Sequence, residues 1–545
     1  MKLWITSLIR GPGRLGSNSF ITKASLATGC CAIVATSLQV MLTTCTLNGQ
    51  VETSNRSTAR SYFSSARKAL AAGDSVAALE QLRRAVQADS TFAEAYLLLG
   101  LTEFQRGEIE DSITDYQRAL QLRPRSYSGH YNLALAYLRQ RKFQEARAHL
   151  EQAVALDPHQ ANAAYDLGIV LLELGQPSAA AANLRHAKRL DPQRSDVSFN
   201  IVRAELDAGR TTAARAEAQA SAKRLSSDFQ WMTAVGQLFM KRGLYQDAAV
   251  YLRQASLLHP DDAEIRRQLA TAYLQTHNAE KVLETIKAPA NADDHYLRGS
   301  AHYLAGNFTE ADLESNLALD LAPENPQVLV LRTRLLQRAG LQDAALQLAR
   351  KAITLAPTWD EPYYLAGVSS YFIRRYEEAS QNLERARELN PNSARTFFLE
   401  AIALASQGKV QDAEQRLRHA IVLEPNNARL HAHLGILLDR ENDNAGAEAS
   451  LRKAAQLKPE YALPHYELGK LLGASKHFVE AAGELELAVK YDRWMGAAYY
   501  QLARVYQRLG EPEKSARALE EFERLHKQEE SEALNQDALS ETESP

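Results

Sequence analysis

The chain has 545 residues, of which 24% are charged and 45% hydrophobic, and its formal net charge is -3. This composition excludes a wholly disordered chain and a polytopic membrane protein. The absence of a basic excess argues against a nucleic-acid-binding protein. All three cysteines, Cys30, Cys31 and Cys45, lie in the first 58 residues. The rest of the chain therefore has neither disulfides nor a cysteine-based zinc site.

Residues 1–58 are predicted to be a signal peptide or a membrane anchor with a linker. Residues 24–51 carry no charge and follow several basic residues, which is the layout of a cleaved secretory signal or a retained anchor. A wrongly assigned start or an unstructured tail is the remaining alternative. Leu42 to Cys45 resembles a lipoprotein cleavage box, although Thr44 stands where a smaller residue is usual, so lipidation of Cys45 is also open. We expect an exported or membrane-tethered protein of the cell envelope, the periplasm or the exterior.

A period of 34 residues organises the remainder of the chain. With proline taken as position 32, fourteen units fit over residues 59–529. Position 20 is alanine in eleven units, position 8 is glycine or alanine in twelve, and position 15 is glycine in nine. The prolines that set the period are Pro124, Pro158, Pro192, Pro260, Pro323, Pro357, Pro391, Pro425 and Pro459. A period of this length indicates an array of repeated supersecondary units.

Each unit is predicted to be a hairpin of two helices, because apolar residues recur with helical spacing on both sides of position 15. Glycine at position 15 suits a left-handed residue that ends the first helix, and proline at position 32 ends the second. Small residues at positions 8 and 20 allow the two helices to approach closely. One hairpin cannot bury its apolar face alone, so neighbouring hairpins must stack.

These columns resemble the tetratricopeptide repeat. Unit 93–126 carries the matching residues Tyr96, Leu99, Gly100, Ser112, Tyr116, Ala119 and Pro124. The resemblance implies an all-α solenoid, a right-handed superhelix of about 14 helix-turn-helix units. It also implies a concave groove, lined by positions 2, 5, 9, 12 and 13 of the first helices, that binds proteins or extended peptides.

Irregular units suggest how the array is divided. Unit 263–291 is five residues short and reads Ala-Pro-Ala-Asn at 288–291. This predicts a bend near 287–294 between units 1–7 (59–291) and units 8–14 (292–529), although an unbroken stack with sequence drift explains it equally. The final helix is expected to cap the array. Residues 528–545 contain six acids and no base, so 530–545 are predicted to be an acidic disordered tail.

The candidate binding residues are aromatic at position 5 of eight units, together with two arginines of one unit. Rigid aromatic side chains provide contact area at a small entropic cost. The alternative is that they only pack against the next repeat. The groove positions are acidic in early units and basic in later ones, which favours a partner of opposite polarity or an acidic peptide in the later half. The alternative is that these charges are only solvated and bind no partner. The predicted residues are Tyr131, Tyr165, Phe199, Tyr296, Tyr364, Phe398, Tyr466, Tyr500, Arg334 and Arg338.

The sequence predicts no catalysis, cofactor or metal site. It contains no H-E-x-x-H, G-x-S-x-G or Walker A string, and the repeats leave no room for a catalytic domain. We therefore expect a non-catalytic scaffold that binds proteins or peptides but no nucleic acid, with contact to a membrane only through the N-terminal segment. Two alternatives stay open: a non-catalytic or substrate-presenting relative of the arrays in O-linked glycosyltransferases, and an RNA-binding helical array.

Overall fold

A computed structural model describes the backbone of residues 54–542 and the side chains of residues 56–527. Residues 1–53 of the predicted leader, including Cys45, lie outside the described residues. The described chain forms 28 helices and no strand, arranged as fourteen consecutive hairpins. The predicted all-α repeat array is thereby confirmed.

Each hairpin consists of a first helix and a second helix. The first helices are α1 (Ser54–Ala71), α3 (Ala93–Arg106), α5 (Tyr127–Arg139), α7 (Ala161–Glu173), α9 (Ser195–Asp207), α11 (Phe229–Lys241), α13 (Ala263–Gln275), α15 (Ala292–Leu304), α17 (Pro326–Arg338), α19 (Asp360–Phe372), α21 (Ala394–Ser406), α23 (Ala428–Arg440), α25 (Ala462–Ala474) and α27 (Gly496–Leu509). The second helices are α2 (Ser75–Ala88), α4 (Ile109–Leu122), α6 (Phe143–Leu156), α8 (Pro177–Leu190), α10 (Thr211–Arg224), α12 (Tyr245–Leu258), α14 (Ala279–Thr285), α16 (Phe308–Leu321), α18 (Gln342–Leu355), α20 (Tyr376–Leu389), α22 (Val410–Leu423), α24 (Asn444–Leu457), α26 (Phe478–Tyr491) and α28 (Pro512–Thr542).

The chain divides into two compact units, an N-terminal unit up to Thr276 and a C-terminal unit from His277. The division falls inside the shortened hairpin, whose second helix α14 has only 7 residues. A bend at 287–294, with the array divided after residue 291, stays a prediction.

The helices of each unit form two layers. Most helices pack against the next one in the chain, and most first helices also contact the first helix of the following repeat. Within the described residues, successive second helices share no comparable contact. The first helices of successive repeats are therefore more closely spaced than the second helices. We call the surface that the first helices present the first-helix face.

Position 15 adopts a left-handed backbone conformation in all fourteen repeats. In the repeat of α21, for example, the Gly408 N–H donates to the Ala405 carbonyl (3.1 Å) and the Lys409 N–H donates to the Leu404 carbonyl (3.0 Å). These bonds satisfy carbonyls at the end of the first helix. Nine of the fourteen residues are glycines, which confirms the predicted role of this column; the other five are Arg141, His277, Arg374, Asn442 and Lys476.

In most hairpins the two helices meet where a small residue at position 8 faces a large one at position 24. A Cβ atom built on Gly367 of α19 would lie 2.5 Å from Cγ of Leu383 on α20. Position 20 lies beside this contact, and its eleven alanines have no accessible surface. At Gly367 the helices approach so closely that an added methyl group would overlap Leu383.

The last helix extends into the predicted tail. Helix α28 continues to Thr542, and disorder of residues 530–545 stays a prediction. Its sequence from 528 to 542 has neither glycine nor proline and is rich in Glu, Gln, Ala and Leu, which are good helix formers. Helical propensity thus outweighs the repulsion between like charges. Among the described helices, none combines the length and the apolar character that crossing a bilayer requires.

Gly367→Ala should lower the stability of the C-terminal unit. The new methyl group would overlap Leu383, and overpacking of this kind costs about 1–3 kcal/mol. The measurement is the midpoint of urea unfolding, followed by far-ultraviolet circular dichroism. Gly483→Ala in α26 is the matched control, because a Cβ there meets no atom within 4 Å. That change should leave stability unchanged or raise it by about 0.5–1 kcal/mol. Equal effects of the two substitutions would contradict the close approach.

Candidate functional site

The predicted aromatic column lies on the first-helix face, between first helices of adjacent repeats. Tyr131, Phe199 and Phe398 are buried there. Tyr500 is exposed. The remaining members are half-buried: Tyr165, Tyr296, Tyr364 and Tyr466. These residues therefore contribute to packing between repeats, and their contact with a ligand stays a prediction.

In the N-terminal unit the column belongs to a closed polar network. Tyr131 Oη donates a hydrogen bond to Asp166 Oδ2 at 2.8 Å. The Arg194 guanidinium lies over the Tyr165 ring, with Cζ 4.2 Å from the ring centroid, and it also pairs with Asp196 at 2.7 Å. Each charged group in this network thus has an internal partner.

Burial raises the pKa of Asp166 to about 6, and the Tyr131 hydrogen bond and the Arg194 charge only partly oppose that rise. The ordinary value is 3.8, so the folded chain holds this proton more tightly than the unfolded chain does. The contribution of Asp166 to stability is therefore present below about pH 4 and is lost as the pH rises through about 6.

Asp166→Asn should stabilise the protein at pH 7.5 relative to wild type, and this advantage should shrink toward pH 4. The asparagine Oδ1 can still accept the Tyr131 hydrogen bond but carries no charge. The measurement is the free energy of unfolding at several pH values between 4 and 8.

Asp89→Asn is the control of opposite sign. Burial raises the pKa of Asp89, but hydrogen bonds from Thr91 and the charges of Arg56 and Arg60 outweigh it and leave the pKa below the ordinary value. Its loss should destabilise the protein at neutral pH. If both variants showed the same pH trend, the assignment of Asp166 would be wrong.

The C-terminal unit carries a different arrangement, in which arginines of one repeat cover aromatic rings of the preceding repeat. Arg395 Cζ lies 4.3 Å from the centroid of the Tyr364 ring, and Arg429 Cζ lies 4.6 Å from that of Phe398. Arg334 Nη2 donates to Glu361 Oε1 at 2.7 Å, and Arg395 binds the other oxygen of the same carboxylate. We call these six residues the arginine–aromatic strip: Arg334, Glu361, Tyr364, Arg395, Phe398 and Arg429.

The strip has an excess of positive charge. Burial raises the pKa of Tyr364, while the charges of Arg395, Arg429 and Arg334 oppose the rise, so three guanidiniums lie close to this phenol. Glu361 is the one carboxylate among them. For Arg429 the described residues provide no ion pair.

His433 lies beside the strip without adding charge at neutral pH. Its ring meets Phe398 edge to face, with centroids 4.9 Å apart. Burial, together with the charges of Arg429 and Arg440, lowers the pKa of His433 to about 4. The imidazole is therefore neutral at physiological pH.

The structure brings only some of the predicted residues together. Arg334, Tyr364 and Phe398 join one strip, whereas Arg338 lies over the ring of Phe308, with Cζ 3.5 Å from its centroid. Tyr296 packs beside Leu331 and Leu335, Tyr466 packs against the core of the last repeats, and Tyr500 contacts Phe522 of α28.

Sequence reasoning missed the central role of Glu361 and the stacking of the arginines. A signal for the stacking exists. Arg395 follows Tyr364 by 31 residues, and Arg429 follows Phe398 by the same interval. The stacked pairs of the strip can therefore be recognised in the sequence. Each pair has an aromatic residue at position 5 of one repeat and an arginine at position 2 of the next repeat.

Carboxylates also cluster in the N-terminal unit, where Glu103, Glu108 and Asp111 lie within reach of one cation. Burial and the neighbouring Asp115 raise the pKa of Glu103 to about 8, and Arg83 pairs with Glu103 at 3.2 Å. The raised pKa of Glu103 and its pairing with Arg83 both reduce the negative charge of this cluster.

Comparison with known protein families agrees with this architecture. A model described as "TPR repeat" matches residues 100–141, and four further models of the tetratricopeptide repeat match other parts of the chain. The chain belongs to the tetratricopeptide repeat (TPR) family. The further matches cover residues 133–200, 239–301, 199–255, 364–428, 398–462 and 497–528.

One curated relative of this TPR chain is human protein O-mannosyl-transferase TMTC1. The two sequences are 26% identical over 171 residues, which is 30% of this chain. The match spans only 19% of the length of the transferase.

Solved structures that are similar to this TPR chain include the APC/C hetero-tetramer Cut9–Hcn1 and yeast Tom70. The first is 14% identical, covers 82% of this chain and 96% of its own, and has a TM-score of 0.42. Tom70 is 16% identical, covers 84% of this chain and 100% of its own, and has a TM-score of 0.33.

Proposed function

We propose that this TPR chain is a non-catalytic interaction scaffold that holds partner proteins or extended peptides on its first-helix face. The observation that carries the proposal is the arginine–aromatic strip. There, the side chains of Arg334, Tyr364, Arg395 and Arg429, which belong to four successive repeats, come together at the Tyr364 ring. Aromatic residues and arginines dominate protein interfaces because they combine a large contact area with directed hydrogen bonds.

We further propose that the scaffold acts in the cell envelope, either exported or tethered to a membrane. The support is the uncharged segment 24–51, which follows a basic stretch. Mass spectrometry of the native N-terminus tests this and distinguishes a cleaved signal, a retained anchor and acylation at Cys45. A mature chain that begins at Met1 and is recovered in the cytosol would contradict the proposal.

The match to the O-mannosyl-transferase favours one second candidate, a subunit that presents substrates for protein O-glycosylation. Because the match covers less than a third of this chain, we propose no transferase activity for the chain itself. The test incubates the purified protein with sugar donors and acceptor proteins. Transfer that a single point mutation abolishes would revive the enzymatic interpretation.

Photo-crosslinking tests the scaffold proposal directly. A photoreactive phenylalanine analogue at position 364 should form covalent adducts with defined partner proteins in the native host, because this position lies on the first-helix face. The same analogue at position 313 is the control. Leu313 is 61% exposed but lies on the second helix α16. Adducts should be absent at 313, and identical adducts at both positions would contradict a binding role of the first-helix face.

Tyr364→Ala together with Arg429→Ala should weaken capture of those partners at least about tenfold while leaving helical content intact. Phe398→Ala is less informative, because Phe398 is buried and its removal would cost about 3–5 kcal/mol of stability. The measurement is the dissociation constant of a partner identified by crosslinking. Unchanged affinity with an intact fold would show that the strip does not bind.

A further inference from the structure

We propose that the arginine–aromatic strip selects partners that present an acidic extended segment, whose carboxylates bind the guanidiniums of Arg395 and Arg429. The inference rests on the proposed scaffold function and names the chemistry of the partner. It follows from the way in which the strip holds its arginines, from its charge balance and from the faces of its rings.

The rings hold the arginines in place before any partner binds. Stacking of Arg395 on Tyr364 and of Arg429 on Phe398 restricts both long side chains. Arginine presents a planar set of N–H donors that matches a carboxylate, and a restrained guanidinium loses less entropy on binding. Because the side chain of Arg395 is 51% exposed and Arg429 is exposed as well, part of each donor set is accessible to a partner.

Glu361 is a carboxylate of the chain itself that the arginines of the strip already bind. Its carboxylate is only 8% exposed and binds both Arg334 and Arg395. One carboxylate balances one of three guanidiniums, and Arg440 adds a fourth positive charge near His433. For Arg440, as for Arg429, no ion pair exists among the described residues. The remaining charge is complementary to acidic residues of a partner.

The geometry favours a peptide over a nucleic acid. Proteins that bind single strands offer free aromatic faces for the stacking of bases. Here guanidiniums already lie over Tyr364 and Phe398. The whole chain also carries a net charge of -3, whereas binders of nucleic acids usually have a basic excess.

The test measures fluorescence anisotropy of two labelled peptides with the full-length protein. One peptide of twelve residues alternates glutamate with serine, and the other has glutamine in place of every glutamate. We expect the glutamate peptide to bind about tenfold more tightly, as for charge-assisted hydrogen bonds, and to weaken as salt rises. Equal affinities would overturn the inference, as would tighter binding of a single-stranded RNA or of a peptide with phosphoserine at the same positions.

Three variants separate the strip from general attraction of charge. Arg429→Gln removes a guanidinium with no ion-pair partner among the described residues and should weaken binding of the glutamate peptide at least about fivefold. Arg517→Gln is the matched control: it removes an exposed arginine of the second helix α28 that also has no ion-pair partner among the described residues, and it should change nothing. Equal losses in both variants would overturn the inference.

Glu361→Gln should bind the glutamate peptide more tightly than wild type, because it removes the carboxylate that competes for Arg334 and Arg395. A variant that merely damaged the fold would lose affinity, so a gain in affinity identifies a direct role. A loss would overturn the inference. The crosslinks formed from position 364 distinguish failure of this inference from failure of the scaffold proposal. A scaffold that has no preference for acidic peptides would still form these crosslinks with its partners.

Discussion

The close approach of two helices within each hairpin is the contact on which the rest of the structure depends. A small residue at position 8 admits the leucine at position 24, as at Gly367 and Leu383, and alanine at position 20 closes the gap beside it. Because each hairpin buries only part of its apolar surface, the same residues must recur for neighbours to stack. The period in the sequence thus follows directly from the small apolar area that one hairpin can bury by itself.

The stacking of neighbouring hairpins also determines which side chains are available for binding. Position 5 lies between successive first helices, so an aromatic residue there serves the stack and the first-helix face together. Tyr131 is buried and gives its hydroxyl to Asp166, whereas Tyr364 keeps part of its ring accessible beneath Arg395. The same column therefore contributes mainly to packing between repeats at Tyr131 and leaves an accessible ring surface at Tyr364. The identity of its neighbours decides between the two.

The sequence predicted the helices, their ends and the small residues at the close approach of each hairpin, because these follow from local rules that recur along the array. Glycine at position 15 identified nine left-handed turns. Arg141, His277, Arg374, Asn442 and Lys476 occupy the same conformation without glycine, so only the register of the repeat reveals them. The candidate site was less predictable. Arg334 and Arg338 are one turn apart, yet Arg338 covers Phe308 and Arg334 binds Glu361. A long side chain has several possible contacts within reach, and no local sequence pattern determines which of them it makes.

Charge balance distinguishes the first-helix faces of the two units. In the N-terminal unit Arg194 has Asp196 as its ion-pair partner, and Arg203 has Glu173. In the C-terminal unit Glu361 serves two arginines, while for Arg429 and Arg440 the described residues offer none. Ion pairs on an accessible face contribute little to stability. They also leave little unbalanced charge for a partner to bind. Arginines that stack on aromatic rings but have no ion-pair partner repel one another and slightly destabilise the fold. In our proposal, a partner that supplies carboxylates reduces this repulsion. A surplus of charge is therefore a more specific sign of a binding surface than aromatic residues alone, which every repeat of this kind can use for packing.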